Sequence, residues 1–238
     1  MTRTLRLLSL YPGHMNVYGD RGNMVVLTKR LEWRGYRSEV IEHHPGDSIP
    51  TDVDLIVGGG GQDSGQLHIQ PDLQRNAATL RGLAEDEIPM LMICGLYQLF
   101  GHTLTAHNGS AMDGIGILDV HTVFGRDRIT GNVTADTDDW GPLVGYENHA
   151  GRTFLGVDAE LLGTTAKGSG NNGDDGTEGA RYRNIIGTYL HGPVLPKNPA
   201  LADALLTMAL SRQQPSVLTD LPPLGEKEAR ATATTRRR

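Results

Sequence analysis

Short apolar runs alternate with helix-like spacings through the first hundred residues. The runs at 5–11, 53–57 and 90–93 have the length and composition of strands buried on both faces, and residues 38–41 predict one more strand. Between them, apolar residues recur every three or four positions, as on one face of a helix. Alternation of strand and helix is typical of βαβ units and predicts a mostly parallel central sheet flanked by helices.

One of these helices is predicted from about Pro71 to Ala84. Proline suits the first turn of a helix, because its missing N–H would have no partner there. Leu73, Ala77 and Leu80 then keep helical spacing up to Ala84.

From Gly109 onward the predicted strands become shorter and are interrupted by glycine. They are Ile115–Leu118, His121–Phe124, Ile129–Val133, Leu143–Tyr146 and Phe154–Leu155. No linker-like stretch separates them from the earlier units, which predicts an antiparallel or mixed extension of the same sheet in one α/β domain, residues 1–212. Residues 213–238 are rich in Pro, Ala, Thr and Arg, which is typical of a disordered tail.

The composition narrows the class of protein. Among 238 residues, 38% are hydrophobic, 21% are charged and 31 are glycine, which fits a loop-rich globular enzyme. The net charge of −6 argues against nucleic acid or an anionic membrane as the main partner. A single cysteine excludes an internal disulfide and favours the reducing cytoplasm, and no apolar run reaches transmembrane length.

That cysteine lies at the corner between a predicted strand and a predicted helix. Residues 90–93 form the strand, residues 96–100 open the helix, and Cys94 and Gly95 lie between them. A thiol at such a corner projects from the sheet edge, and the positive end of the helix favours its thiolate. A lone cysteine can also be a small buried hydrophobe, but the adjacent glycine favours a nucleophile.

Four consecutive glycines, residues 58–61, follow the strand predicted at 53–57. They let the backbone approach a ligand closely, either as a phosphate cradle or as N–H donors to an oxyanion. The run lacks the Lys-Ser/Thr ending of a P-loop and the spaced glycines of a dinucleotide motif. The oxyanion role is therefore favoured, with plain backbone flexibility as the alternative.

A cysteine that hydrolyses an amide needs a base to accept and return a proton. Of the nine histidines, His191 is singled out because it ends a late apolar strand and is followed by Gly-Pro. A histidine on a surface loop is the alternative interpretation. Weaker candidates for the base are His68, His102, His107 and His149.

The stretch CGLYQ at 94–98, preceded by a strand, resembles the nucleophile turn of class I glutamine amidotransferases. It is most similar to the cobyric acid synthase-like branch, where a second glycine usually stands in place of Leu96. The resemblance implies that Cys94 is the nucleophile and His191 the base. It also implies that Gly60 or Gly61 pairs with Gly95 to bind the oxyanion.

Two residues are candidates for substrate contacts, the first of them by the same resemblance. A glutamine substrate carries an α-carboxylate, for which the planar guanidinium of arginine is the natural partner. Arg128 matches the position of this arginine in close relatives, with Arg126 as its neighbouring alternative, and either side chain could instead be a solvated charge. Gln98, on the first helical turn past Cys94, is a candidate for a second substrate contact.

Further motifs resemble the GatD family, the glutaminase subunits of lipid II isoglutaminyl synthases, over about residues 5–210. The matching stretches are 11–12, 16–23, 32–35, 59–63, 147–149, 170–173 and 187–198. The resemblance implies hydrolysis of L-glutamine to glutamate and ammonia, with no cofactor or metal in this chain. It also implies a heterodimer with a Mur ligase-like subunit, MurT, which would use ATP and Mg to amidate D-glutamate of the lipid II stem peptide. This chain has no P-loop with which to activate a carboxylate itself.

The sequence departs from the wider class at one position. Most class I amidotransferases carry a glutamate two residues after the catalytic histidine, and here that residue is Pro193. The protein would then use a Cys–His dyad, or another acid, such as Asp20 or Glu147, would orient His191. Two other functions stay open: a Cys–His amide hydrolase or peptidase of similar fold, and a non-catalytic scaffold subunit.

Overall fold

The computed structural model describes residues 4–106, 108–212, 218–222 and 225–235, so His107 and parts of the tail lie outside the described residues. The strands are β1 (Thr4–Leu10), β2 (Arg37–His43), β3 (Leu55–Gly58), β4 (Met90–Ile93), β5 (Thr103–Thr105), β6 (Ala111–Asp113), β7 (Val120–Asp136), β8 (Leu143–Leu155), β9 (Glu160–Lys167), β10 (Thr177–Tyr182) and β11 (Ile185–Thr188). The helices are α1 (Arg21–Glu32), α2 (Asp63–Arg75), α3 (Ala77–Glu85), α4 (Gly95–Phe100), α5 (Pro199–Ser211) and α6 (Glu226–Thr235), with a 3₁₀ turn at Leu195–Lys197.

These strands form one sheet in the order β2-β1-β3-β4-β11-β10-β9-β7-β5-β6, with β8 paired to β7. The five strands from β2 to β11 run parallel. The β10, β9, β7 and β8 pairings that continue the sheet are antiparallel. This α/β architecture confirms the predicted parallel centre and its antiparallel extension.

The register of the central strands brings three chain segments to one edge of the sheet. Gly58 of β3 and Gly187 of β11 both pair with Met92 of β4, so the three strands end at the same height. Each of these strands is buried along its whole length, as its apolar run predicts. The glycine loop, Cys94 and His191 therefore leave the sheet side by side, where open α/β sheets place their sites.

Several predicted elements differ in the structure. Residues 115–118 are not a strand, because their N–H groups bond to the carbonyls of Leu99, Phe100 and Gly101 at the C-terminal end of α4 rather than to a neighbouring strand. The helix predicted at 71–84 is two helices, α2 and α3, which meet at Asn76, and Pro71 lies inside α2. The short strands predicted after residue 120 join into the long hairpin of β7 and β8, with an irregularity between Phe124 and Ile129.

Part of the tail predicted to be disordered is helical. Helix α6 lies within it, and its Glu226 forms an ion pair with Arg30 of α1, a side chain that is almost fully buried. The composition of the tail does not indicate that Glu226 pairs with a residue as distant in the chain as Arg30. No helix in the described ranges is both long and apolar enough to cross a membrane.

Candidate active site

Cys94 occupies a strained corner between β4 and α4. Its φ of 50° and ψ of −102° are rare for a residue with a side chain, and such strain is common at functional sites. The Cys94 N–H donates to the Thr188 carbonyl at 2.9 Å, and the Gln98 N–H donates to the Cys94 carbonyl at 2.9 Å. The corner is thus fixed from the neighbouring strand and from its own helix.

Burial keeps the Cys94 thiol protonated at rest. The side chain is 6% exposed, and this desolvation raises its pKa to about 12. The Asp20 carboxylate raises the pKa further, while the Arg128 guanidinium and the Gly95 N–H oppose the rise. The start of helix α4 thus favours the thiolate, as expected, but burial outweighs this effect and the resting thiol stays protonated.

His191 lies just beyond β11 and is fully buried. Its backbone pairs with Tyr146 of β8, and the ring of Tyr18 packs edge-on against its imidazole at 4.5 Å. Burial lowers the pKa of His191 to about 3, and the charges of Arg128 and Lys197 lower it further, so the ring is neutral at pH 7.

The nucleophile and the base meet across Gly60. A Cβ built on Gly60 would lie 2.8 Å from His191 Cε1 and 3.1 Å from Cys94 Cβ. Contacts below 3 Å are not tolerated by ordinary packing, so the glycine keeps this space open for the two reacting side chains. The structure thus brings together the cysteine, the histidine and the glycine loop that the sequence singles out.

No acid of the described residues orients the His191 ring. Neither His191 nitrogen has a hydrogen-bond partner among the residues that the structure describes. Glu147 instead accepts the N–H groups of Ser169 and Gly170, and Asp20 accepts the Gly60 N–H. Both predicted orienting acids thus bind backbone N–H groups, and neither bonds the imidazole, although Asp20 Oδ1 has no partner among the described residues. This arrangement favours a Cys–His dyad within this chain.

The glycine loop distinguishes between Gly60 and Gly61 as oxyanion donors. The Gly60 N–H is occupied by Asp20 at 2.7 Å. The Gly61 nitrogen lies 3.2 Å from where a Cβ on Gly95 would stand, which places it beside the first residue of α4. The Gly95 N–H has no carbonyl four residues earlier in the helix to accept it. This arrangement favours Gly61 and Gly95 as the pair of donors.

Arg128 reaches the site from the irregular segment of β7. Its guanidinium donates to the Asn148 side chain at 2.5 Å and to the Tyr18 hydroxyl at 3.0 Å. Its charge acts on the pKa of both Cys94 and His191, which places it near the reacting groups. Tyr18 and Asn148, which hold this arginine, were not predicted as site residues, although both lie in polar motifs of the sequence.

Gln98 has a different setting from the predicted substrate contact. It is buried, its carbonyl oxygen accepts from Gln66 at 2.8 Å, and its amide donates to the Tyr189 hydroxyl at 2.9 Å. Gln66 also donates to the Gly95 carbonyl at 3.1 Å. These contacts favour a supporting role beneath the nucleophile corner.

The weaker histidine candidates make other contacts. His149 is buried and stacks on Tyr189 at 3.7 Å, with its Nδ1 2.7 Å from the Gly151 carbonyl. His68 stacks on His14, and His102 pairs with Asp119. Within the described ranges, no group of three His, Cys, Asp or Glu side chains could hold a metal ion.

Comparison with known proteins gives a consistent family. The model of the CobB/CobQ-like glutamine amidotransferase domain matches residues 6–199. Subunit GatD of the glutamine-hydrolysing lipid II isoglutaminyl synthase of Staphylococcus aureus (strain N315) is 39% identical over 200 residues, covering 84% of this chain and 82% of that protein. The subunit of the same name from Streptococcus pneumoniae is 34% identical over 213 residues, covering 88% of this chain and 82% of that protein.

Solved structures show the same fold at low sequence identity. A glutamine amidotransferase from Thermotoga maritima superimposes with a TM-score of 0.56 at 15% identity, covering 96% of this chain and 90% of that one. A second glutamine amidotransferase gives a TM-score of 0.59 at 14% identity, covering 85% and 98%.

Proposed function

The chain belongs to the CobB/CobQ-like glutamine amidotransferase family and within it to the GatD subunits, and we propose that it hydrolyses L-glutamine to glutamate and ammonia for a lipid II isoglutaminyl synthase. The observation that carries this function is the meeting of Cys94 and His191 across Gly60. Arg128, the proposed partner of the substrate carboxylate, acts electrostatically on both reacting side chains.

The proposed reaction has two halves. Cys94 Sγ attacks the side-chain amide carbon of glutamine while His191 accepts the thiol proton, and the N–H groups of Gly61 and Gly95 bind the oxyanion. His191 returns the proton to the leaving nitrogen, so ammonia departs and a γ-glutamyl thioester remains on Cys94. In the second half His191 deprotonates a water that attacks the thioester, and glutamate leaves as Cys94 regains its proton.

Arg128→Ala is expected to lower kcat/KM for L-glutamine about 10- to 100-fold, mainly through KM, because a charge-assisted contact to the substrate carboxylate is lost. Arg126→Ala is the matched control, since Arg126 is an exposed neighbour on the same segment, and it should leave KM unchanged. The measurement is glutamate release at varied L-glutamine concentration. An unchanged KM in Arg128→Ala would favour a Cys–His peptidase, which needs no amino-acid carboxylate site.

The ammonia serves a Mur ligase-like partner, MurT, in this proposal. We propose that this subunit binds ATP and Mg and amidates D-glutamate in the stem peptide of lipid II, and that the reaction takes place in the cytoplasm. Support comes from the two relatives, each named as one subunit of a lipid II isoglutaminyl synthase. The separate subunit is the source of carboxylate activation, since this chain carries no P-loop.

Glutamate release by the chain alone is expected to be slow and to rise when the partner is co-expressed. The reason is that no described side chain fixes the tautomer of the His191 ring. The measurement compares the two preparations under equal concentrations, with Cys94→Ala as the inactive control in each. Equal rates with and without the partner would contradict this expectation, and no release in either would favour a scaffold subunit.

A further inference from the structure

Asp20 is a buried carboxylate pressed against the glycine loop. It is 3% exposed, and its Oδ2 accepts the Gly60 N–H at 2.7 Å. A Cβ on Gly59 would lie 2.9 Å from the same oxygen, so the loop can approach Asp20 this closely only as glycine. Burial raises the pKa of Asp20 to about 6, which leaves it mostly ionised at pH 7. Burying a charged carboxylate is costly, so its presence indicates a functional role and not packing alone.

The next peptide group of the loop is held from the other side. The Gly60 carbonyl accepts the Val17 N–H at 3.1 Å. In a trans peptide the carbonyl and the following N–H point in opposite directions, and the described residues contain no cis peptide bond. Because the Gly60 carbonyl points toward Val17, the Gly61 N–H points away from Val17, toward the side on which Gly95 lies.

We infer that Asp20 is a positioning residue for glutamine hydrolysis: it fixes the Gly59–Gly60 peptide while the Val17 N–H fixes the Gly60–Gly61 peptide, and the two contacts together make the Gly61 N–H face the oxyanion. The inference rests on the proposed function, because the oxyanion forms only during attack on an amide. It replaces the sequence-based hypothesis in which Asp20 orients His191, since the carboxylate contacts the loop and not the imidazole.

The same short segment also touches the other parts of the site. Tyr18, between the two clamping residues, packs on the His191 ring and accepts a hydrogen bond from Arg128. Residues 16–20 thus connect the oxyanion donors, the base and the carboxylate-binding arginine. A displacement of this segment would disturb all three.

The test compares Asp20→Ala and Asp20→Asn in the full chain co-expressed with its Mur ligase-like partner. Glutamate release gives kcat and KM, and alkylation of Cys94 by iodoacetamide gives the reactivity of the thiol. Alkylation forms no oxyanion, so it separates loss of the oxyanion donor from general damage to the site. Asp54→Ala is the matched control, because Asp54 is also buried and accepts a backbone N–H, from Arg6, at the opposite end of β3.

Asp20→Ala is expected to lower kcat about 100-fold with little change in KM, as for a lost oxyanion donor. Alkylation should be at least as fast as in the wild type, because the carboxylate that raises the Cys94 pKa is gone. Asp20→Asn keeps an oxygen for the Gly60 N–H and should retain most of kcat. Asp54→Ala should keep both kcat and alkylation.

Three outcomes would overturn the inference. One is a kcat within about 3-fold of wild type in Asp20→Ala, well short of the loss of an oxyanion donor. Another is an equal loss of kcat in Asp20→Asn and Asp20→Ala. The third is a loss of both kcat and Cys94 alkylation in Asp20→Asn, which would indicate general damage to the site. This outcome overturns the inference even if Asp20→Ala does not fold. Failure of the proposed function looks different, because the wild type itself would then release no glutamate.

Discussion

Cys94→Ala is expected to lower kcat for glutamine hydrolysis by at least about 10⁴-fold, and His191→Asn by a similar factor. The chain has no second cysteine to replace Cys94, and His149, whose charge acts on His191, is held by stacking on Tyr189 and by the Gly151 carbonyl. Because the two groups act on the same proton, the double variant should be no slower than either single one. The measurement is single-turnover and steady-state glutamate release.

The control for this prediction is substrate binding. L-Glutamine should still bind to Cys94→Ala, because Arg128 is held by Tyr18 and Asn148 and not by the thiol. Calorimetric titration of that variant gives the dissociation constant. A Cys94→Ala protein that binds glutamine yet releases glutamate at the wild-type rate would remove the cysteine from the mechanism.

Gly60→Ala is expected to lower kcat by about 10²-fold or more, because the new methyl group would occupy the gap between nucleophile and base. It would lie 2.8 Å from His191 Cε1, so the buried imidazole would have to move. The ring has little freedom to do so, since Tyr18 packs on it at 4.5 Å. The KM for L-glutamine should change less than kcat, because the arginine contact is untouched.

Gly82→Ala is the matched control for this substitution. A Cβ on Gly82 meets nothing within 4 Å, and the residue lies in helix α3, where alanine is the better helix former. Its kinetics should equal the wild type, and its melting temperature should not fall. Gly60→Ala with normal kcat would mean that the Cys94–His191 gap does not limit the reaction.

The central strands and the site they carry could be predicted because their signals are local. Residues 90–93 form an apolar run that the structure reproduces as β4, and Cys94 follows at the corner. The strand ending near His191 is equally clear. Parallel strands of one sheet deliver their carboxyl ends to one edge, so a cysteine and a histidine that each follow an apolar strand lie together once β11 pairs with β4, a pairing that only the structure shows.

The remaining details depend on tertiary contacts that no local pattern contains. Residues 115–118 are apolar enough for a strand, but carbonyls at the C-terminal end of α4 accept their N–H groups. The helix N-terminus predicts a lowered pKa for Cys94, but only the fold shows the burial that raises this pKa. Asp20 lies 40 positions before Gly60 in the chain, and only the fold shows that one accepts the N–H of the other.

The most direct measurement is the mass of the chain after acid quenching during turnover with L-glutamine, in the presence of the partner. A γ-glutamyl adduct is expected on the peptide that contains Cys94 and should be absent from Cys94→Ala. Continued glutamate release without any adduct on that peptide, together with an active Cys94→Ala variant, would contradict this mechanism.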